Sequence, residues 1–347
     1  MTTKRVTLAD VAAEAGVSKT AVSFALNKTA GARLSEDVVE RVKAAAKKLN
    51  YRPNYAARTL RTQQTQSIGF LSTNVAVTRF AMAMISGALR EADAQDHTLL
   101  IGETSAAIAS KGANPAKLKD RAIAALLDRQ IDGLIIADMG AKKVDAPQLP
   151  PGTPVIFVNL HGPEDYCSIL PDEATAGKEV VEALLAGKYR NNVILIGTSP
   201  KLETDTSVSA TIGLRLDAIR KTLRANGVEN WTEIASDHWV PELGYKSILE
   251  AHKQGQMPDA IICLNDNIAF GVYQACSELG VKIGKDVSLV SFDDDEFSEN
   301  LKPGLTTARL PYEVMGQLAV QEVLAESSEV GIRLVPMPIQ HRDSVAK

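Results

Sequence analysis

Residues 7 to 23 of this 347-residue chain leave room for little except two short helices set about a tight turn. Thr7 precedes an apolar-periodic run and Asp10 follows it by three residues, so the Thr7 hydroxyl can accept from a free backbone N–H while Asp10 answers back. That is a capping-box start. Leu8, Val11, Ala12 and Ala15 form one apolar stripe at helical spacing, which stops at Gly16, a residue able to take the positive φ of a turn. Ser18 then caps a second helix with Val22, Ala25 and Leu26 inward, leaving Lys19, Thr20, Ser23, Phe24 and Asn27 outward. Ser35 opens a third helix, with Val39, Val42, Ala46 and Leu49 inside and Arg41, Lys43, Lys47 and Lys48 outside.

Charge separates this three-helix head from everything after it. Residues 1–61 hold twelve Lys or Arg against five Asp or Glu, a balance of +7, while the remainder carries −11 beneath a whole-chain net of −4. Such asymmetry favours nucleic acid at one end, with the outward residues of the second helix facing the major groove.

From Ser67 the pattern changes to short apolar runs alternating with helical stretches. Ile68–Ser72, Thr98–Ile101, Gly133–Ala137 and Val155–Asn159 read as buried parallel strands, with Ala81–Ala94 and Pro115–Arg129 as intervening helices. A second series follows at Val193–Gly197, Trp231–Ala235, Ala260–Leu264 and Ser288–Phe292. The expected architecture is α/β: a helix-turn-helix head and a body of two similar lobes, each a doubly wound parallel sheet. Domain limits are set at 1–50 for the head, 51–65 for a hinge helix or linker and 66–347 for the body. Within the body the first lobe takes about 66–168 and 309–335, and the second about 169–308 and 336–347. Asn159, Asn265, Asp266 and Asp293 stand at strand ends, where ligands of open parallel sheets settle.

Several function classes drop out. Cys167, Cys263 and Cys276 are odd in number and show no Cys-x-x-Cys spacing, so neither a disulfide framework nor a zinc knuckle is expected, and a reducing cytoplasm is the natural setting. No apolar stretch approaches a membrane span, and no secretory h-region follows Met1. A solute-binding protein of the periplasmic type would lack the basic head. Nucleotide-binding glycine loops, His-Glu-x-x-His and a Gly-x-Ser-x-Gly nucleophile turn are all missing, so no enzyme and no cofactor are expected. The acidic run Asp293-Asp294-Asp295-Glu296 points its carboxylates in different directions and has no histidine partner, so no metal is expected there either.

Taken in order along the chain, the head, the segment Asn50-Tyr51-Arg52-Pro53-Asn54-Tyr55-Ala56-Ala57-Arg58-Thr59-Leu60, Asn265-Asp266, Phe292-Asp293-Asp294 and Leu305-Thr306-Thr307 resemble the LacI/GalR family of bacterial transcription regulators. The resemblance covers essentially the whole chain. It implies a homodimer on palindromic double-stranded operator DNA, most often a repressor and in other cases an activator or corepressor-dependent regulator. DNA affinity would be altered by a small polar effector of the sugar or polyol kind.

Carried over by position, Lys19, Thr20 and Phe24 fall where bases are read, and Thr7, Ser18, Ser23 and Asn27 where phosphates are held. Leu8, Arg33 and Asn54 complete the implied DNA-contacting set. Phe24 stands where arginine is common, which exchanges a bidentate guanine contact for an apolar one. Pro53 can open a hinge helix too short to be stable alone, and Leu60 with Ala57 matches the minor-groove wedge. For the effector, the resemblance implies Arg215 as fork donor, Asp293 as hydroxyl acceptor, Trp239 as stacking surface, Asn159 and Asn265 as flanking contacts, and Thr73, Val77 and Phe80 as first-lobe wall. No heptad pattern follows His341, so a dimer and not a coiled-coil tetramer is expected.

Overall fold

The computed structural model describes residues 6–27, 34–51, 64–79, 81–104, 114–188, 191–229, 231–325 and 329–347. Arg33, Asn54, Ala57, Leu60 and Phe80, and the side chain of Asn27, lie outside the described residues. The chain divides into two compact units, residues 1–65 and 66–347.

The first unit holds α1 (Leu8–Ala15), α2 (Lys19–Asn27) and α3 (Glu36–Lys48). Both halves of the capping box form at Thr7: its backbone N–H donates to Asp10 Oδ2 at 2.8 Å, and its hydroxyl accepts from the Asp10 N–H at 3.4 Å. Gly16 ends α1 in the left-handed region, at φ 65°. Val11, Val22 and Val42, one from each helix, are fully buried against one another, and Ala45 joins them where Val39, Ala46 and Leu49 are only partly covered. Each such valine contributes about 1.5–3 kcal/mol on burial. Arg41 reaches across to α1, its Nη1 donating to the Ala15 carbonyl at 3.3 Å.

In the second unit one sheet joins β1 (Ser67–Thr73), β2 (Thr98–Glu103), β3 (Gly133–Lys143), β4 (Val155–His161), β5 (Cys167–Pro171) and β11 (Gly331–Val335). Its order is β2-β1-β3-β4-β5-β11 and every pairing is parallel. Around it run α4 (Met82–Ala94), α5 (Pro115–Leu127) and α11 (Tyr312–Leu324). The other sheet joins β6 (Val193–Thr198), β7 (Trp231–Ala235), β8 (Ala260–Cys263), β9 (Ser288–Asp293), β10 (Thr306–Arg309) and β12 (Ile339–Gln340). Its order, β7-β6-β8-β9-β10-β12, repeats the first, with only β10–β12 antiparallel. Its helices are α6 (Glu173–Leu185), α7 (Pro200–Thr204), α8 (Ile212–Ala225), α9 (Pro241–Lys253) and α10 (Asp266–Leu279).

Both doubly wound sheets are as expected from the apolar runs. Four strands, β5, β10, β11 and β12, were not anticipated. Strand β10, Thr-Thr-Ala-Arg, is buried at Thr306 and Thr307 only because their hydroxyls find the Arg342 carbonyl and Asp266, partners far away in sequence. The chain passes between the sheets after Pro171, after Arg309 and after Val335. The limits set near 168 and 309 fall inside β5 and at the last residue of β10, because sheet pairing and not the apolar run decides where a lobe ends.

Helices α4 and α11 cross almost backbone to backbone. A Cβ on Gly87 would lie 1.9 Å from the Glu313 carbonyl oxygen, and one on Gly316 would lie 1.9 Å from that of Met84. Among the described residues no helix is long and apolar enough to cross a membrane, and no group of His, Cys, Asp or Glu is arranged to hold a metal.

Candidate functional site

In the head, α2 presents its polar face to solvent because the apolar spacing of Val22 and Ala25 leaves no other choice. Lys19, Thr20 and Ser18 are exposed, Phe24 is 37% exposed, and Ser23 is half-buried. Ser18 Oγ accepts the Ala21 N–H at 3.1 Å, so this serine orders the start of α2. Thr7 is exposed and Leu8 partly buried in the three-helix core.

In the second unit a cavity of about 330 Å³ lies between the two sheets, at their strand carboxyl ends. Asn159, Arg215, Trp239, Asn265 and Asp293 all line it, so the structure brings together five of the residues proposed for the effector. Thr73 and Val77 do not line it. The hydroxyl of Thr73 is bonded to that of Thr104 at 2.8 Å, and Val77 is 45% exposed on the first lobe.

Two of these residues are held in unusual backbone conformations. Asn159, near the end of β4, has φ 49°, and Asp293, the last residue of β9, has φ 113°. Non-glycine residues with positive φ cost about 1–3 kcal/mol and persist where surrounding contacts over-determine them. Here those contacts turn two strand ends toward one space. Asn159 Nδ2 donates to the Asp138 carbonyl at 3.0 Å, and the Asn159 side chain is also bonded to Tyr312. Trp239 is oriented by its Nε1–H, which donates to the Gly197 carbonyl at 2.8 Å. Asn265 caps α10, its Oδ1 accepting the Ile268 N–H at 2.9 Å.

Arg215 behaves differently from the expectation. Its guanidinium does not simply point at a ligand: Nε donates to Glu173 Oε2 at 2.6 Å, Nη2 to Glu173 Oε1 at 2.9 Å, and Nη1 to the Leu264 carbonyl at 2.8 Å. Its Cζ lies 4.1 Å from the Phe292 ring centroid. Glu173, the first residue of α6, also lines the cavity and escaped sequence reading, since nothing in the sequence shows that a carboxylate 42 residues away meets Arg215. Tyr312, Ser209, Thr211 and Asp237 are further lining residues of the same kind.

Asp293 has no hydrogen-bond donor for its carboxylate among the described residues. Burial, and then the charge of Asp266, push its carboxyl well above the ordinary range, with Arg215 pulling the other way. Behind it the three body motifs converge. Asp266 accepts from Thr307 Oγ1 at 2.8 Å, Ser298 Oγ at 2.6 Å and the Asp295 N–H at 2.8 Å. Asp294 takes Arg309 at 2.6 Å and Arg342 at 2.7 Å. The acidic run is thus divided among separate partners.

The lobes also meet by main chain. The Lys143 N–H donates to the Thr206 carbonyl at 2.8 Å and the Ala210 N–H to the Ala141 carbonyl at 3.0 Å, just after Gly140 at φ 90°. Met139, Gly140, Ala141, Val208 and Ser209 form this wall of the cavity.

Comparison with known proteins finds the same two parts. Residues 7–54 match the family described as bacterial regulatory proteins, lacI family, and residues 181–345 match a periplasmic binding protein-like domain. The chain is 30% identical to the lactose operon repressor of Escherichia coli (strain K12), covering 98% of this chain and 90% of that one. It is 29% identical to the HTH-type transcriptional repressor PurR of Proteus mirabilis (strain HI4320), over 95% of each. Among solved structures, that of the lac repressor dimer bound to operator and the anti-inducer ONPF has a TM-score of 0.73 at 26% identity, over 99% of this chain and 100% of that one.

Proposed function

Since this chain belongs to the LacI family of bacterial regulatory proteins, we infer that it reads operator DNA through α2 and senses a small polyhydroxylated effector in the cavity between its lobes. It is a DNA-binding transcriptional regulator of the repressor type and not an enzyme. It works as a dimer on a palindromic operator in the cytoplasm, at the nucleoid when bound.

The observation that carries the effector reading is Asp293, a carboxylate on a strained strand end, facing a cavity and lacking any donor among the described residues. The half-buried Asp293 carboxyl is open to the cavity, where hydroxyl groups of a ligand can pair with it. Trp239 beside it offers an apolar face for the C–H side of such a ligand. Lys19 and Thr20 meet base edges, Phe24 packs on a thymine methyl or its neighbours, and Thr7, Ser18 and Ser23 hold phosphates. Leu60 and Ala57 form the minor-groove wedge. Effector binding changes the angle between the lobes, and dimer contacts pass that change to the hinges.

The test is operator binding by fluorescence anisotropy with genomic fragments against random competitor, repeated with a panel of sugars, polyols and nucleobases. A saturable response to one metabolite, lost in Asp293→Ala while unliganded operator binding is kept, is the expected result. A response that survives Asp293→Ala places the effector elsewhere, and a preference for no fragment removes the DNA reading.

A further inference from the structure

We propose that Glu173 sets the charge selectivity of the effector cavity: by occupying the Arg215 fork it leaves a site that admits neutral or basic polyols and turns away carboxylates and phosphates. This rests on the reading of the cavity as the effector site. A guanidinium has five N–H donors in a fixed fork, and the arrangement that recognises a carboxylate or phosphate is the bidentate one. Glu173 already holds it, at 2.6 and 2.9 Å, and Leu264 takes a third donor at 2.8 Å.

Neither partner is free to let go. Glu173 and Arg215 are 4% and 2% exposed, Glu173 stands in the first turn of α6 where the helix N-terminus favours an anion, and the Arg215 guanidinium carbon sits over the Phe292 ring. Removing one member of such a buried pair leaves an uncompensated charge. With Arg215 neutralised by Glu173, no other cationic side chain among the described residues lines the cavity, and Asp293, Asp237 and Trp239 remain on its wall. An incoming carboxylate or phosphate would find no open fork and no other cation to offset its charge, whereas a hydroxyl finds a polar partner at Asp293.

The experiment uses the full chain carrying Trp231→Phe, so that Trp239 in the cavity is the sole fluorescent tryptophan. Inorganic phosphate, D-glucuronate, D-glucose and D-glucosamine are titrated at constant ionic strength into this protein and into its Glu173→Gln derivative. The parent should show no saturable Trp239 response to phosphate or glucuronate. Glu173→Gln should gain one, with affinity raised by about ten-fold or more, and Glu173→Gln/Arg215→Gln should lose it again.

A folded Glu173→Gln protein without that gain overturns the proposal. Saturable binding of either acid at Trp239 of the parent also overturns it, and leaves the cavity standing as the effector site. Silence of Trp239 toward all four probes in every folded variant overturns the assignment to Glu173, while the operator-binding panel decides the effector reading separately. Should Glu173→Gln not fold, the parent alone decides: a response to glucose or glucosamine with none to glucuronate supports the assignment, and the reverse order sinks it.

Discussion

Thr307 donates its hydroxyl to Asp266 over 2.8 Å, joining the last strand of the second sheet's parallel run to the first residue of α10 across 41 positions of sequence. Ser298 and the Asp295 N–H converge on the same carboxylate, so the loop that begins at Asp293 is anchored from behind. The geometry of the cavity between the lobes therefore depends on a residue that does not line it.

Burial raises the Asp266 carboxyl to about 6, against the hydrogen bonds that pull it down. Between the ordinary carboxylate value and about 6 the folded chain keeps a proton that the unfolded chain has lost. The contribution of this group to stability is thus largest at the acid end and falls as pH rises through 6. Asp266→Asn cannot titrate, so the stability gap between wild type and variant should shrink by about 2 kcal/mol from pH 4 to pH 7. Urea unfolding at several pH values reads this directly, and a constant gap would mean that Asp266 ionises normally.

The close crossing of α4 and α11 leaves no room for a methyl group. Gly87→Ala sets a Cβ against the Glu313 carbonyl and must push the helices apart, at a cost of about 2–3 kcal/mol. Gly152→Ala meets nothing and should cost about 1 kcal/mol, from its φ of 81° alone. Denaturation midpoints of the two variants compare packing with backbone strain, and equal losses would contradict the packing account.

Gly140→Val places a β-branched side chain at φ 90°, facing the Val208 carbonyl in the wall where the lobes touch. The positive φ should cost more stability than the loss of about 1 kcal/mol in Gly152→Ala, and relief of the Val208 contact on opening should weaken ligand binding by about ten-fold for each 1.4 kcal/mol released. Trp239 fluorescence titration of any metabolite found active gives the midpoint. An unshifted midpoint would show that the Gly140–Val208 contact does not bear on ligand binding.

Lys19→Ala should weaken operator binding by about 1–3 kcal/mol and random DNA by less. Lys43→Ala, a residue paired with Glu40 at 2.8 Å on α3, should change both only slightly. Competition anisotropy at two salt concentrations separates the terms, and equal losses from both variants would remove Lys19 from base reading.

Much of this protein was legible before any coordinates. The capping box at Thr7, the turn at Gly16, the serine starts at Ser18 and Ser35 and the eight strands read as apolar runs are written in spacing over a few residues. Of the four other strands, β11 and β12 lie at sheet edges, β10 is polar by composition, and β11 alternates weakly as Gly-Ile-Arg-Leu-Val. Their identity comes from the neighbours they pair with. The cavity was half legible, because residues at strand ends can be named from the sheet rule, whereas Glu173, Asp237 and Tyr312 reach it only once helices and loops are packed.

Local order, the alternation of strand and helix, and the concentration of positive charge in the first 61 residues are properties of the sequence, because each depends on neighbours within one or two turns. Partnership is different: that Arg215 spends its fork on Glu173, that Asp293 opens to the cavity, and that Thr307 answers Asp266 were decided by the tertiary structure. Electrostatic and hydrogen-bonding preference acts over a few ångströms of space, and only folding brings residues 41 or 42 positions apart within that reach.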